Sequence, residues 1–371
     1  MPERTPLYQE HLRAGGRMVD FAGWEMPQQY SSVQAEHQAV RTAAGLFDIS
    51  HMGRVVVSGP AAFDHLQGLV TNDLGRVEVG HAQYNLLCRE DGGIVDDIVV
   101  YRRAPEVFTV VVNASNREKD LAWFQRGAPA GVEIEDRSRL VSLLALQGPR
   151  AEAVAATVAE GVDLASIPYF GFANGRLAGI DVNLSRTGYT GEDGFELFVA
   201  SEQAPSLWSA LLEAGRPHGV LPAGLAARDV CRLEAGLRLY GNDMDESVNP
   251  YQAGLGWTVK LGKGEFSGRA ALEAVKAAGP DRVIAGLLAS ERTIPRHGGA
   301  VKVGGRQVGE VTSGTFSFWL KTGIGMASIL REAAVPGTPV ELDGRGAPGA
   351  AEVVALPFYR GSVKPAAATT S

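Results

Sequence analysis

Residues 92–102, GGIVDDIVVYR, limit what this chain can fold into more tightly than any other stretch. The glycine pair is a turn signal, and Ile94 to Tyr101 then reads as a strand. In a strand, Ile94, Asp96, Ile98 and Val100 share one face, while Val95, Asp97, Val99 and Tyr101 share the other. Both faces are otherwise apolar, which predicts a strand covered on both sides. At least one of the adjacent carboxylates then enters apolar surroundings, where charge is costly unless partnered. The residues alone leave two readings open. Either one Asp pairs with an Arg while the other caps a backbone amide, or the pair belongs to a functional site.

The rest of the chain supplies the cover. Val107 to Val112 reads as the next strand, and Ser142 to Leu146 as a third. Val182 to Thr187 and Phe195 to Val199 predict two more, joined by the glycine-rich loop from Gly188 to Gly194. Ser58-Gly59-Pro60 predicts a helix start running to about Val70. Ser115 with Glu118 has capping-box spacing for a helix to about Phe124, and Gly148-Pro149 opens another. Pro222 to Tyr240 is the longest helical pattern, and Trp257 to Leu261 reads as a short strand. After about residue 280 the chain turns strand-rich, with a hairpin signal at Gly304-Gly305. The 371 residues allow two or three domains, and the 46 glycines favour a turn-rich, β-rich fold. A C-terminal all-β domain after a mixed α/β body is the expectation.

Several function classes are excluded. A net charge of −7 argues against non-specific nucleic-acid binding, though not against a local basic pocket. No apolar run is long enough to cross a bilayer, and Met1 to His11 lacks the apolar core of a signal peptide. Cys88 and Cys231 make no disulfide scaffold, which predicts a reducing compartment and a cytoplasmic location. The sequence has no His-Glu-x-x-His, Cys-x-x-Cys, P-loop or Gly-x-Ser-x-Gly pattern, so no metal is expected.

Among polar candidates, Glu196 alternates with Phe195 and Leu197 in a strand. It can accept two parallel hydrogen bonds from an amidine-like edge, whether an Arg or a pterin, or it can be an ordinary exposed Glu. In ARDVCRLEAGLRLYG, Asp229 with Arg232 and Glu234 with Arg238 have helical pairing distances and read as surface ion pairs. Arg228 has no acid one turn on and is the freest Arg to bind an anion or a carbonyl. Tyr84, Asn113, Tyr189 and Tyr240 stand near strand or helix ends, and Cys231 reads as a small buried hydrophobe.

Taken in order, TPLYQEH, MVDFAGWEMP, VRTAAGLFDISHMG, LVTNDL, GGIVDDIVVYR, VVNASNREKD, ALQGP, SRTGYTGEDGFEL, PAGLAARDVCRLEAGLRLYGNDMDE, GEVTSGTFS and PFYRGS resemble the T-protein family of the glycine cleavage system over nearly the whole chain. The resemblance implies an α+β fold of three domains in a cloverleaf arrangement around a central folate pocket, with mixed or antiparallel sheets and a barrel-like C-terminal β domain. It places the first domain at 1–50 plus about 138–225, the second at about 51–137 plus 226–279 and the third at about 280–363, with 364–371 a disordered tail.

The activity it implies is a tetrahydrofolate-dependent aminomethyltransferase. The one-carbon unit passes from the aminomethyl-lipoyl group of H-protein to tetrahydrofolate, the co-substrate, and ammonia leaves. By motif position, Asp97 matches the family's key acid. Met52, Tyr84, Asn113, Tyr189, Glu196, Arg228 and Arg360 match folate-pocket positions, with Glu196 as the pterin's bidentate acceptor. Two departures stand out: Ser317-Phe318-Trp319-Leu320 where the family often has Ser-Pro-Thr-Leu, and Leu237 where some members have an aromatic. The rival readings are a non-enzymatic folate-binding protein that assists iron–sulfur cluster assembly, for which no Lys-Gly-Cys-Tyr-type motif is present, and the folate domain of a flavin-dependent oxidase, for which no GxGxxG fingerprint is present.

Overall fold

The computed structural model describes residues 2–290, 293–343 and 349–363. Its strands are β1 (Glu3–Arg4), β2 (Arg17–Phe21), β3 (Trp24–Gln29), β4 (Gly45–Asp48), β5 (Gly53–Ser58), β6 (Ala82–Cys88), β7 (Ile94–Ala104), β8 (Val107–Val112), β9 (Glu133–Asp136), β10 (Val141–Gln147), β11 (Ala159–Glu160), β12 (Phe172–Leu177), β13 (Ile180–Ser185), β14 (Gly194–Ala200), β15 (Leu221–Pro222), β16 (Arg282–Ala289), β17 (Ala300–Val303), β18 (Arg306–Ser317), β19 (Thr322–Leu330), β20 (Pro339–Leu342) and β21 (Gly349–Val354). The helices are α1 (Tyr8–Arg13), α2 (Val33–Thr42), α3 (Ala62–Leu69), α4 (Arg117–Gln125), α5 (Ala151–Ala156), α6 (Ala204–Gly215), α7 (Leu225–Glu234) and α8 (Arg269–Ala278).

These build a seven-stranded sheet ordered β11-β12-β13-β14-β10-β4-β15, a five-stranded sheet ordered β6-β7-β8-β5-β9, a small sheet β1-β3-β2, and a closed six-stranded barrel from β16 to β21. The fold is therefore α+β with a C-terminal barrel, as the sequence predicts. Gly304 and Gly305, both at positive φ (56° and 78°), close the expected hairpin between β17 and β18. None of the described helices is long and apolar enough to cross a membrane. The tail expected to be disordered, 364–371, lies outside the described residues.

Strand β7 is covered on both sides, but its faces differ from simple alternation. A bulge opposite Leu87 and Cys88 inserts Val95 as an extra residue. Val95 therefore joins Ile98 and Val100 in a core with Val55, Leu66, Phe108 and Phe124, beneath α3 and α4. Ile94 turns instead to Leu86, Cys88 and Leu272. Beyond the bulge, Val99 and Tyr101 face a second core, shared with Phe47, Leu143 and Phe198 of the seven-stranded sheet. The two large sheets thus meet across the Asp97 face of β7.

Four local expectations are corrected. Ser58 is spent on the sheet, paired with Val107, so α3 starts later, at Ala62, without a side-chain cap. The capping box at Ser115 and Glu118 does not form, because residues 114–116 make a 3-10 turn and α4 begins at Arg117. Helix α7 spans only Leu225–Glu234; Gly236 adopts φ 67° and ends it, while Pro222 lies in β15. The longest α-helix among the described residues is α6. The Trp257–Leu261 stretch is two 3-10 turns, Gly256–Thr258 and Leu261–Lys263, with the Thr258 hydroxyl donating to the Leu255 carbonyl at 2.8 Å.

Candidate active site

Asp97 sits mid-strand on β7, half-buried where the two sheets converge. One carboxylate oxygen accepts from Asn113 Nδ2 at 2.7 Å and the other from the Tyr84 hydroxyl at 3.1 Å. Tyr84 can reach it because it pairs across the ladder with Val99, one pleat along on the same face. Burial, then the neighbouring Asp96 carboxylate, push Asp97 up to about 7, against the opposing pull of the Asn113 and Tyr84 hydrogen bonds. No Arg or Lys among the described residues pairs with it. An acid poised near neutrality without a counter-ion is equipped to take or hold a positive charge or a proton.

Asp96 points the other way and is fully buried. It accepts from the Asn113 backbone N–H at 3.0 Å, Asn113 Nδ2 at 2.8 Å and Asn116 Nδ2 at 2.6 Å. The expected Arg partner is not there, whereas the expected backbone amide is. Asn116 also explains the lost capping box: it stands at the N-cap of α4, but its amide is committed to Asp96 rather than to the helix.

Across the interface, Glu196 on β14 is half-buried and accepts on one oxygen from Thr187 Oγ1 (2.6 Å) and Tyr101 Oη (3.3 Å). Its other oxygen receives no hydrogen bond from the described residues. Tyr101 comes from β7, so this contact ties the two sheets together at the site. Burial holds the Tyr101 hydroxyl protonated and able to donate.

Arg228, in the first turn of α7, lies with its guanidinium 4.8 Å from the centre of the Tyr189 ring. Its Nη1 is buried and has no hydrogen-bond partner among the described residues. Burial lowers its pKa, opposed mainly by the Glu196 carboxylate, which places the two in electrostatic reach. Tyr189 donates to the Arg238 carbonyl and also senses the charge of Asp97. His51 completes this side: it is buried, its Nδ1 is unpartnered, and burial drives it down to about 3, so it is neutral. Met52 packs beside it against the core containing Phe47, Tyr101 and Phe198.

Asp97, Tyr84, Asn113, Tyr189, Glu196, Arg228 and Met52 are thus gathered around one interface. Arg360 is different: it is exposed and makes no hydrogen bond or ion pair with the described residues. Its flanking residues are tightly docked. The Tyr359 N–H donates to the Glu234 carbonyl at 2.8 Å, and the Ser362 N–H and hydroxyl both donate to Glu192, at 2.9 and 2.6 Å. Gly361 passes so close to the glycine-rich loop that a Cβ would stand 2.2 Å from the Gly191 carbonyl oxygen.

Beneath this strap, buried Arg41 donates to Glu192 (2.7 Å) and Glu234 (2.7 Å). Glu234 also accepts from His37 at 2.8 Å and Ser317 at 2.6 Å. The predicted Glu234–Arg238 pair therefore does not form: the helix ends at Glu234, and Arg238 donates instead to backbone carbonyls. The Asp229–Arg232 pair does form at 2.7 Å, but Arg232 is buried and also holds Asp243 (2.7 Å) and barrel residue Ser313 (2.8 Å). Cys231 is a buried hydrophobe, as read from the sequence. Trp319, one of the two departures, packs edge-on against Tyr359 at 5.5 Å.

Sequence reasoning missed Tyr101, Thr187, Asn116, His51 and Trp257, whose exposed ring stacks on Tyr84 at 5.8 Å. Tyr101 was within reach, since it alternates with Asp97 and Val99 on one face. The others carry no local signal. Among the described residues no cluster of three or more His, Cys, Asp or Glu could hold a metal.

The chain matches known proteins over nearly its whole length. The GCVT N-terminal domain model matches residues 7–263, and the glycine cleavage T-protein C-terminal barrel domain model matches residues 282–360. The chain is 50% identical over 365 residues to an aminomethyltransferase of Symbiobacterium thermophilum, covering 96% of this chain and 97% of that one. It is 48% identical over 362 residues to an aminomethyltransferase of Geobacillus kaustophilus, covering 97% and 99%. The crystal structure of glycine cleavage system aminomethyltransferase T from Bartonella henselae superposes with a TM-score of 0.91 at 36% identity, covering 98% and 99% of the two chains.

Proposed function

The chain belongs to the glycine cleavage T-protein family, and from that premise we propose that the cluster around Asp97 carries out aminomethyl transfer with tetrahydrofolate as the acceptor. The protein is an enzyme, an aminomethyltransferase. In this reading its donor is the aminomethyl group on the lipoyl sulfur of H-protein. The carbon–sulfur bond breaks, ammonia leaves, and the products are methylenetetrahydrofolate and dihydrolipoyl H-protein. The reduced pterin supplies the nitrogens that take up the one-carbon unit.

The residues fit such a ligand. Glu196 offers a free oxygen beside the one fixed by Thr187 and Tyr101, suited to a pterin's ring N–H and amino group. Arg228 Nη1 is a buried donor lacking an acceptor, suited to a ring carbonyl or a carboxylate. Met52 supplies apolar packing. Tyr84 and Asn113 hold the Asp97 carboxylate in place, so it orients the acceptor amine and steadies positive charge as carbon arrives. Exposed Arg360, unpaired among the described residues, is a cation suited to the anionic tail of a folate.

The observation that carries this assignment is the geometry of Asp97: half-buried, held by two neutral donors, and paired with no Arg or Lys among the described residues. The test is ammonia release from loaded H-protein with and without tetrahydrofolate. Release that depends on folate and is nearly abolished by Asp97→Asn is expected; near-normal turnover by the variant removes Asp97 from the chemistry. Nothing favours a non-catalytic folate-binding role, since Cys231 is buried within α7.

A further inference from the structure

Asp120 on α4 is fully buried, and neither of its carboxyl oxygens receives an N–H or O–H from any described residue. Asp120 stands one helical turn past Asn116, whose side-chain amide donates to Asp96 at 2.6 Å, so α4 brings the Asp120 carboxyl to the same side as that of Asp96. Two buried carboxyls placed side by side, one of them without any donor among the described residues, are relieved when they share a proton. The hydrogen bonds around them say which one holds it. Three N–H donors converge on Asp96, which makes it the acceptor of the pair, and none from the described residues reaches Asp120.

We propose that Asp120 is a neutral carboxylic acid that donates its proton to Asp96 and thereby positions Asn113 against Asp97. This rests on the reading of Asp97 as the acid of the reaction. With Asp120 as donor, Asp96 is engaged from two directions: an O–H from α4 and three N–H groups from the turn before it. Asn113 is then gripped at both its backbone and its side chain. Its Nδ2 is the hinge of the chain, 2.8 Å from Asp96 and 2.7 Å from Asp97. Asp120 is therefore a positioning residue acting through two intermediaries, not a catalytic one.

The charged groups facing Asp120 agree. Asp96 and Asp97 approach from β7, and the nearby Lys119, on the same helix, is directed at Tyr240 (2.9 Å) and Glu246 (3.2 Å). Burial and then the Asp96 charge push Asp120 far above the usual carboxylate range.

The experiment compares Asp120→Asn, which keeps an N–H donor toward Asp96, with Asp120→Leu, which removes it. In Asp120→Leu the Asn113 amide loosens, and Asp97 loses the hydrogen bond that holds its pKa down. We expect kcat to fall about 10-fold, the worth of one well-placed hydrogen bond. The acidic limb of the kcat–pH profile should move up by about 0.5 to 1 on the pH scale. Asp120→Asn should restore both to near the parent values. Infrared spectra of protein with carboxyl-labelled aspartate should show a protonated acid band at about pH 9, where exposed carboxyls and Asp97 are ionised, and Asp120→Asn should lack it.

A fall in kcat with an unmoved limb is what a merely structural role gives, and it overturns the proposal. So do equal losses in the two variants, or a spectrum without the acid band. If instead Asp97→Asn retains turnover, the reading of Asp97 fails, while the infrared arm still decides whether Asp120 shares a proton with Asp96.

Discussion

Replacing Asp97 by Asn should make the protein more stable and nearly inactive at the same time. The group's pKa rises from 3.8 to about 7 on folding, because burial and Asp96 outweigh the hydrogen bonds from Asn113 and Tyr84. A carboxyl whose folded pKa is raised binds more protons folded than unfolded between those two values. Stability therefore falls as pH climbs through that window, and the full penalty is present above about pH 7. A pKa rise of about 3 corresponds to roughly 4 kcal/mol, and partial exposure trims this to about 2–4 kcal/mol.

Asn keeps the shape, accepts from Asn113 through its carbonyl oxygen, and can donate to the Tyr84 hydroxyl, so it sheds the charge without orphaning either neighbour. Urea unfolding at about pH 8 should show the variant more stable by that margin, and the difference should vanish near about pH 4. Ammonia release should drop by a factor of about 10² to 10⁴. A variant no more stable than the parent at the alkaline end would refute the argument that the fold holds this acid under electrostatic load.

Other substitutions test the neighbours. Glu196→Ala should weaken tetrahydrofolate binding by calorimetry more than it weakens folding, since Thr187 and Tyr101, which it holds, lie 3.3 Å apart and can still bond each other; an unchanged Kd refutes its role. Arg228→Met should bind folate more weakly yet fold at least as stably, because it removes a buried guanidinium nitrogen with no partner; a loss of about 3 kcal/mol in urea unfolding would contradict that. Asp96→Asn should cost about 1–3 kcal/mol of stability, as its new N–H group faces the donors of Asn113 and Asn116. Per folded molecule it should keep more turnover than Asp97→Asn, and equal kinetic losses would overturn that ranking.

The sequence revealed most where one residue type can do only one thing. The two-sided apolar strand around Asp96 and Asp97 had to lie between two layers, and the paired glycines at 304–305 had to turn a hairpin. It misled where backbone groups had competing suitors. Ser58 could cap a helix or extend β5, and the sheet won; Asn116 could cap α4 or hold Asp96, and the buried carboxylate won. The helical pattern from Pro222 to Tyr240 runs past the end of α7, because Gly236, at φ 67°, stops the helix inside it.

Of the candidate site, Asp97, Glu196 and Arg228 are legible in the sequence because an acid in a strand or an unpaired Arg breaks a local pattern. Thr187 and His51 broke none, and Trp257, with its exposed ring, resembles any surface aromatic. Their part emerges only when segments distant in the chain are brought together, as when Tyr101 meets Glu196, 95 residues away.

The strap at residues 359–362 grips Glu192, made some 170 residues earlier. During synthesis, the glycine-rich loop must therefore wait through the whole barrel before its clasp arrives, and until then Ser362 cannot occupy the second oxygen of Glu192. A nascent chain halted before Tyr359 is in this sense a purse without its drawstring. Proteolysis of stalled chains should cut within 188–194 until the strap emerges, and an early resistant loop would show that it closes unaided.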